Sequence, residues 1–319
     1  ARLSDRPSAD RDPTFLFRMA EAHAIVARPM LEALAKAPPQ IVFLGDSTVW
    51  GYGLPPGANV VSILDRGGCP CVNLAFEAGS SPNDYALARL FERYGVRPKL
   101  VVLQISQPSF NPEDQSYRTL PPGLAALAEP LLTPQDRNAL DVPPPNQSLA
   151  SRAERRLSAA WLVYGARADL RAQLSGDVDP LPAKSPVADD FLGTYNLAPL
   201  DETNVGVQYL KKTVDLFHAR GIPIVAFLTP TNHVLLHEFI DVPAYAANAR
   251  YLAGILEKRG VRVIDLDRAI PAGEFFDNTH LTAQGQRRLA ALLARNIPEL
   301  GLDRIPSRTP PRVGSHASG

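Results

Sequence analysis

The chain has 319 residues, 45% hydrophobic and 21% charged, a globular composition with core material for one large α/β domain or two ordinary ones. Its 33 Lys+Arg balance 33 Asp+Glu, for a formal net charge of zero, which argues against a dedicated nucleic-acid binder, since such a protein carries a basic excess or stripe. No stretch reaches the ~18–20 continuous apolar residues of a membrane-spanning helix, and the opening ARLSDRPSADRDP is too polar for a secretory signal.

The chain starts at Ala1 rather than Met, as a processed or truncated product would. Residues 1–13 and 303–319, rich in Pro, Ser, Arg and Gly, predict loose tails. QIVFLG (40–45) reads as a buried strand ending in Gly. ANVVSILDRGG (58–68) reads as a helix stopped by its two glycines. Cys69 and Cys71 are separated by one residue, a spacing that strains a disulfide ring and is not CxxC. It predicts two buried thiols beside a second strand, CVNLAF (71–76). Ser81 caps a helix over 81–96 in which Leu87, Leu90, Phe91 and Tyr94 share a face, and KLVVLQI (99–105) is the third strand.

The rhythm then breaks. Residues 107–200 hold the clusters TLPPG, DVPPPN and DPLPAKSP around one long basic amphipathic helix over 148–174, which predicts a mainly helical cap or lid insertion. Its Arg152, Arg155, Arg156, Arg167 and Arg171 read first as a solvated face, with contact to a membrane surface or anionic glycan as the sharper alternative. Helix 203–220, strand PIVAFL (223–228), helix 243–259, strand VRVIDL (261–266) and helix 282–296 complete the pattern. Five apolar strands alternating with helices predict a three-layer α/β/α sandwich. Its five-stranded parallel sheet is expected in flavodoxin-like order, with ligands beyond the carboxyl ends of the strands.

Ser47, in IVFLGDSTVWGYG, falls at that edge. A serine there is often only a helix cap, and catalysis requires a base and a partner that orients the base. FFDNTHLTAQG (275–285) supplies both, Asp277 and His280, three residues apart and just before the last helix. A neutral imidazole oriented by a carboxylate is suited to take the Ser47 proton near neutral pH. His233 and His237 lie one helical turn apart, but no Glu stands between them as in HExxH, so no metal is expected. Asn232, after the fourth strand, stands where it could touch substrate.

Gly45-Asp46-Ser47, the stretch VNLAFEAGSS and Asp277-x-x-His280-Leu281-Thr282, in that order, resemble the first, second and last sequence blocks of the SGNH (GDSL-type) hydrolase superfamily. The resemblance covers residues 40–106 and 203–297. It implies a single catalytic domain in which Ser47 is the nucleophile, His280 the base and Asp277 its orienting partner. The backbone N–H groups of Ser47 and Gly79 would form the oxyanion hole, and no cofactor is needed. The third block departs from the family pattern: Ser106-Gln107-Pro108 stands where Gly-x-Asn-Asp is usual. Gln107 and Asn111 are then the candidates for the missing donor.

That divergence, with the insertion, is similar to envelope O-acyltransferase branches of the superfamily. It implies an O-acetyltransferase or esterase acting on carbohydrate acyl esters in the periplasm or at the cell surface, beside a membrane acyl-donor protein. A cytoplasmic location stays open. The alternatives are a lipase or thioesterase of the same superfamily, and a catalytically inactive glycan-binding module on the same fold.

Overall fold

The structure is a computed structural model that describes residues 21–39, 41–55, 57–111, 119–140, 195 and 198–302. Helix α1 (Glu21–Lys36) leads into β1 (Ile41–Leu44), the short α2 (Ser47–Trp50), α3 (Val60–Arg66), β2 (Cys71–Asn73), α4 (Ser81–Tyr94) and β3 (Leu100–Ile105). After a 3-10 turn at Gln107–Phe110 come α5 (Pro122–Ala128), α6 (Pro134–Ala139) and α7 (Val205–Ala219). The chain closes with β4 (Ile224–Leu228), α8 (His237–Ile240), α9 (Pro243–Glu257), β5 (Arg262–Asp265) and α10 (Ala283–Asn296). None of the described helices is long and apolar enough to cross a membrane.

The five strands are all parallel, in the order β2-β1-β3-β4-β5, the flavodoxin-like order expected. Side chains alternate across the sheet as the two-residue strand period requires. Val42, Leu44, Val101, Leu103, Ile105, Ile224, Ala226 and Leu228 pack on one face with α1, α4, α7 and α9. Ile41, Phe43, Leu100, Val102, Val225 and Phe227 pack on the other with α2, α3 and α10. Both faces are covered, which is why β1, β3 and β4 read as unbroken apolar runs. The chain leaves β1 for β2 on one side and returns to β3 on the other. The carboxyl ends of β1 and β3 therefore flank a crevice, the natural place for a site in an open parallel sheet.

Three local features differ from the sequence reading. Helix α1 has no counterpart in it: Pro29 lies inside the helix, an interruption that breaks the usual helical signature. Strand β2 ends at Asn73, whose side-chain oxygen accepts the Ala75 N–H at 3.1 Å. The chain nonetheless stays bonded to β1, through Leu74 N–H to the Phe43 carbonyl (2.9 Å) and Phe76 N–H to the Gly45 carbonyl (3.0 Å). The third is a correction: Cys69 and Cys71 are not two thiols but a disulfide. The Cys71 N–H donates to the Cys69 carbonyl at 2.8 Å, a tight turn over Pro70. It holds the two Cα atoms 5.5 Å apart, inside the disulfide range of about 4.4–6.8 Å.

Of the block read as a cap, residues 119–140 pack in the helical layer over α1 and α4, burying Leu120, Leu124, Ala128, Leu132 and Leu140. The basic helix at 148–174 and the tails at 1–13 and 303–319 lie outside the described residues.

Candidate active site

Strand β1 delivers the chain to Gly45, and Asp46 caps α2 by accepting the Thr48 N–H at 2.8 Å. Ser47 is the first residue of this helix and is part-exposed, so its own N–H has no acceptor within the helix and lies at the positive end of the helix dipole. Three buried amide side chains hold the turn from three directions. Gln104 of β3 accepts the Asp46 N–H (2.8 Å), and its Nε2 donates to Asp46 Oδ1 (2.7 Å) and Thr229 Oγ1 (2.9 Å). Asn73 Nδ2 donates to the Val49 carbonyl (3.0 Å). Gln286 of α10 accepts the Val60 N–H and donates to the Thr48 carbonyl, both at 2.8 Å. A Cβ at Gly45 would collide with the Gln104 amide, and one at Gly79 with the Gly45 carbonyl. Both positions therefore need glycine for close approach.

The loop between β5 and α10 brings the remaining partners. Phe275 and Leu281 form an isolated antiparallel bridge, and Thr282 caps α10 by accepting the Gly285 N–H (3.2 Å). Between them, His280 Nε2 lies 2.8 Å from Ser47 Oγ and His280 Nδ1 lies 2.6 Å from Asp277 Oδ2. The second Asp277 oxygen accepts the N–H groups of Thr279 (2.8 Å) and His280 (2.6 Å). Burial opposes the Asp277 charge, but the bond and charge of His280 and the two N–H groups outweigh it and hold the carboxyl below its ordinary range. A carboxylate on Nδ1–H leaves Nε2 as the acceptor for the Ser47 hydroxyl. The structure thus joins Ser47, His280 and Asp277 in one hydrogen-bonded chain, although 230 positions separate Ser47 from Asp277 in the sequence.

Aromatic rings surround the imidazole. Tyr52 is 4.5 Å from it between centroids, and Phe276 stacks at 5.5 Å with 15° between planes. Trp50 lies 6.4 Å from Tyr52. Tyr195, the buried described residue of the 141–195 stretch, bonds Thr279 Oγ1 at 3.0 Å.

The other residues singled out in the sequence are differently occupied. The Gly79 N–H donates to the Phe76 carbonyl at 3.1 Å, beside Ala78 held at φ 54°. The Gln107 amide, one of two candidates for the missing oxyanion-hole donor, donates to the Tyr245 carbonyl at 3.2 Å. Asn111 is buried at the end of the 3-10 turn, with its N–H on the Pro108 carbonyl. Asn232 is only 3% exposed. Its Nδ2 donates to the Asp277 carbonyl (3.1 Å), its N–H to the Asn278 carbonyl (3.2 Å), and its Oδ1 accepts the Leu235 N–H (3.3 Å). It ties the β4 loop to the Asp277 loop. His233 is paired with Asp267 (2.7 Å), and among the described residues no cluster has the makings of a metal site. Gln104, Asn73 and Gln286 were missed by the sequence reading. The available signal was a lone amide inside an otherwise apolar run, as in LVVLQI.

A family model matches residues 202–300, less than half of the chain, a span that includes β4, β5 and the Asp277–His280 loop. No curated protein matches. Among solved structures, a GDSL-like lipase from Bacteroides thetaiotaomicron is similar at 12% identity, covering 87% of this chain and 98% of that one, with a TM-score of 0.43.

Proposed function

We propose that this chain is an SGNH-like serine enzyme that transfers or hydrolyses short acyl groups on carbohydrates. The observation that carries the reading is the continuous Ser47–His280–Asp277 hydrogen-bonded chain at the carboxyl edge of the sheet. In the first half-reaction Ser47 Oγ attacks the acyl carbonyl carbon while its proton passes to His280 Nε2. Negative charge gathers on the carbonyl oxygen and in this reading is received by the Ser47 N–H at the start of α2. Collapse expels the sugar alkoxide, which takes the proton from His280 and leaves the acyl-enzyme. Water or a second sugar hydroxyl then attacks, gives its proton to His280, and Ser47 recovers it as the ester bond to the enzyme breaks. Asp277 keeps the imidazole in one tautomer and stabilises its positive charge throughout.

The part-exposed rings of Tyr52 and Phe276 beside His280, with Trp50 next to Tyr52, support a carbohydrate on the leaving-group side, since pyranose faces pack on aromatic rings. A membrane acyl-donor partner and a periplasmic or cell-surface setting belong to the same proposal, on the sequence resemblance alone. The test is turnover of p-nitrophenyl acetate by the protein and its Ser47→Ala variant, with xylo- or chito-oligosaccharides added as acceptors. Loss of turnover in the variant is expected. Acetylated sugar by mass marks a transferase and free acetate alone an esterase for this donor. Equal background rates from the two folded proteins would remove Ser47 as the nucleophile for this ester and favour the binding-module reading.

A further inference from the structure

Behind the nucleophile turn lies a hollow of about 10 Å³ bounded by Gly45, Asp46, Gly79, Gln104 and Ser106 together with Asp84 of α4, about the space one water occupies. Asp84 is 4% exposed, and its Oδ1 has no hydrogen-bond partner among the described residues. The same holds for Nδ2 of the preceding residue, Asn83. Among the described residues no cation lines the hollow, and the titratable groups that do are Asp84 and Asp46. A carboxylate here would be buried beside a second acid with its Oδ1 unpartnered among the described residues, an arrangement that a group avoids by keeping its proton. Burial, and after it the Asp46 charge, push the Asp84 carboxyl well above the usual range.

A carboxylic acid differs from a carboxylate in having an O–H to donate. The site lacks the amide that the third sequence block would have supplied, and Gln107 is turned to Tyr245. We propose that Asp84 is a positioning residue of the acyl-transfer site: its carboxylic acid hydroxyl donates to one water in the hollow. Through that water it fixes the Gly79 backbone against the Gly45–Asp46 turn that carries Ser47. Gly79 already touches the Gly45 carbonyl so closely that no Cβ fits between them, so the hollow and the nucleophile share one wall. Loss of the donor would let that wall shift, and a displacement of ~1 Å at a reacting group costs about 100-fold in rate.

The inference rests on the reading of Ser47 as nucleophile, and two measurements separate the two. The first is steady-state turnover of p-nitrophenyl acetate by wild type, Ser47→Ala, Asp84→Ala and Asp84→Asn. The proposal expects Asp84→Ala to lose kcat at least about tenfold with little change in KM, and Asp84→Asn, whose amide also donates, to recover most of that loss. Wild-type rates in Asp84→Ala, or an Asp84→Asn variant as impaired as Asp84→Ala, would overturn it while Ser47 stands. Equal rates in wild type and Ser47→Ala would overturn the parent reading.

The second measurement is the melting temperature of wild type and Asp84→Asn against pH, which needs no turnover. A folded-state pKa raised above the unfolded value, about 3.9, means that wild type loses stability as pH rises from there to the folded value, whereas the variant does not. The gap in favour of Asp84→Asn should widen with pH over that window. A gap independent of pH would show that Asp84 is charged in the folded protein and would end the proposal.

Discussion

Gln104 and Asp46 are joined twice: the Gln104 carbonyl oxygen accepts the Asp46 N–H at 2.8 Å while its amide nitrogen donates to Asp46 Oδ1 at 2.7 Å. One side chain on the middle strand thereby fixes both the backbone and the capping carboxyl of the residue before Ser47. Gln104→Leu leaves the buried Asp46 N–H and carboxyl short of partners and is expected to cost roughly 2–4 kcal/mol of stability. Gln104→Glu faces Asp46 with a second acid and should be worse near neutral pH, less so in acid. Urea unfolding of the three proteins at two pH values checks both statements, and turnover should fall with the loosened turn.

Asp277→Asn keeps the shape of the loop but offers an amide to the imidazole in place of a carboxylate, which favours the wrong tautomer. A loss of about 10⁴ in kcat is expected, read from initial rates of ester turnover. The lowered Asp277 pKa also has a stability consequence. Its contribution is full above the unfolded value of about 3.9 and disappears as pH falls through the lower folded value. Wild type and Asp277→Asn should therefore converge in melting temperature only in strong acid.

Away from the site, Asp136 of α6 ties the outer helical layer to α7. It accepts bonds from Lys212 (2.5 Å), Tyr209 (2.9 Å) and Thr133 (2.8 Å). Burial opposes its charge, and the bonds from Lys212, Thr133 and Tyr209 bring its pKa down to about 2. Asp136→Asn is expected to cost roughly 1.5–3 kcal/mol at neutral pH, the value of charge-assisted bonds. The cost should be fully present above about 3.9 and fade as pH falls toward about 2, which chemical unfolding at stepped pH will show.

The Cys69–Cys71 disulfide predicts a simple mass result. Unfolded without reductant, the protein should take up no iodoacetamide. After reduction it should take up two equivalents, on one peptide. Two equivalents without reductant would restore the pair of thiols that the CPC spacing first suggested.

Much of the architecture was legible because buried parallel strands write themselves as apolar runs. IVFL, LVVLQI and IVAFL carry the sheet, and the helix after β2 begins within one residue of the expected cap, with Ser80 rather than Ser81 at the N-cap. That Ser47, Asp277 and His280 belong together could be read from residue type and from position at the carboxyl edge, and their side chains do form one hydrogen-bonded chain. What failed to show in sequence was where each polar side chain spends its hydrogen bonds. Gln107 reads as a candidate oxyanion-hole donor and Asn232 as a residue that could touch substrate, and the structure shows their amides on the Tyr245 and Asp277 carbonyls. Gln104 and Asp84 looked like ordinary residues of a strand and a helix until the fold buried them beside Asp46. The disulfide was hidden because its geometry depends on a turn at Pro70 that the spacing of the cysteines does not reveal.

The most direct test of the account is labelling by a fluorophosphonate, followed by peptide mass mapping, on folded wild type, Ser47→Ala and His280→Ala. The reagent modifies a serine only when a neighbouring base activates it. The account predicts a single adduct on Ser47 in wild type, none on the Ser47→Ala protein, and a labelling rate lowered by about 10³ or more in His280→Ala. Folded wild type that takes no label, or Ser47→Ala labelled as fast as wild type, would contradict it.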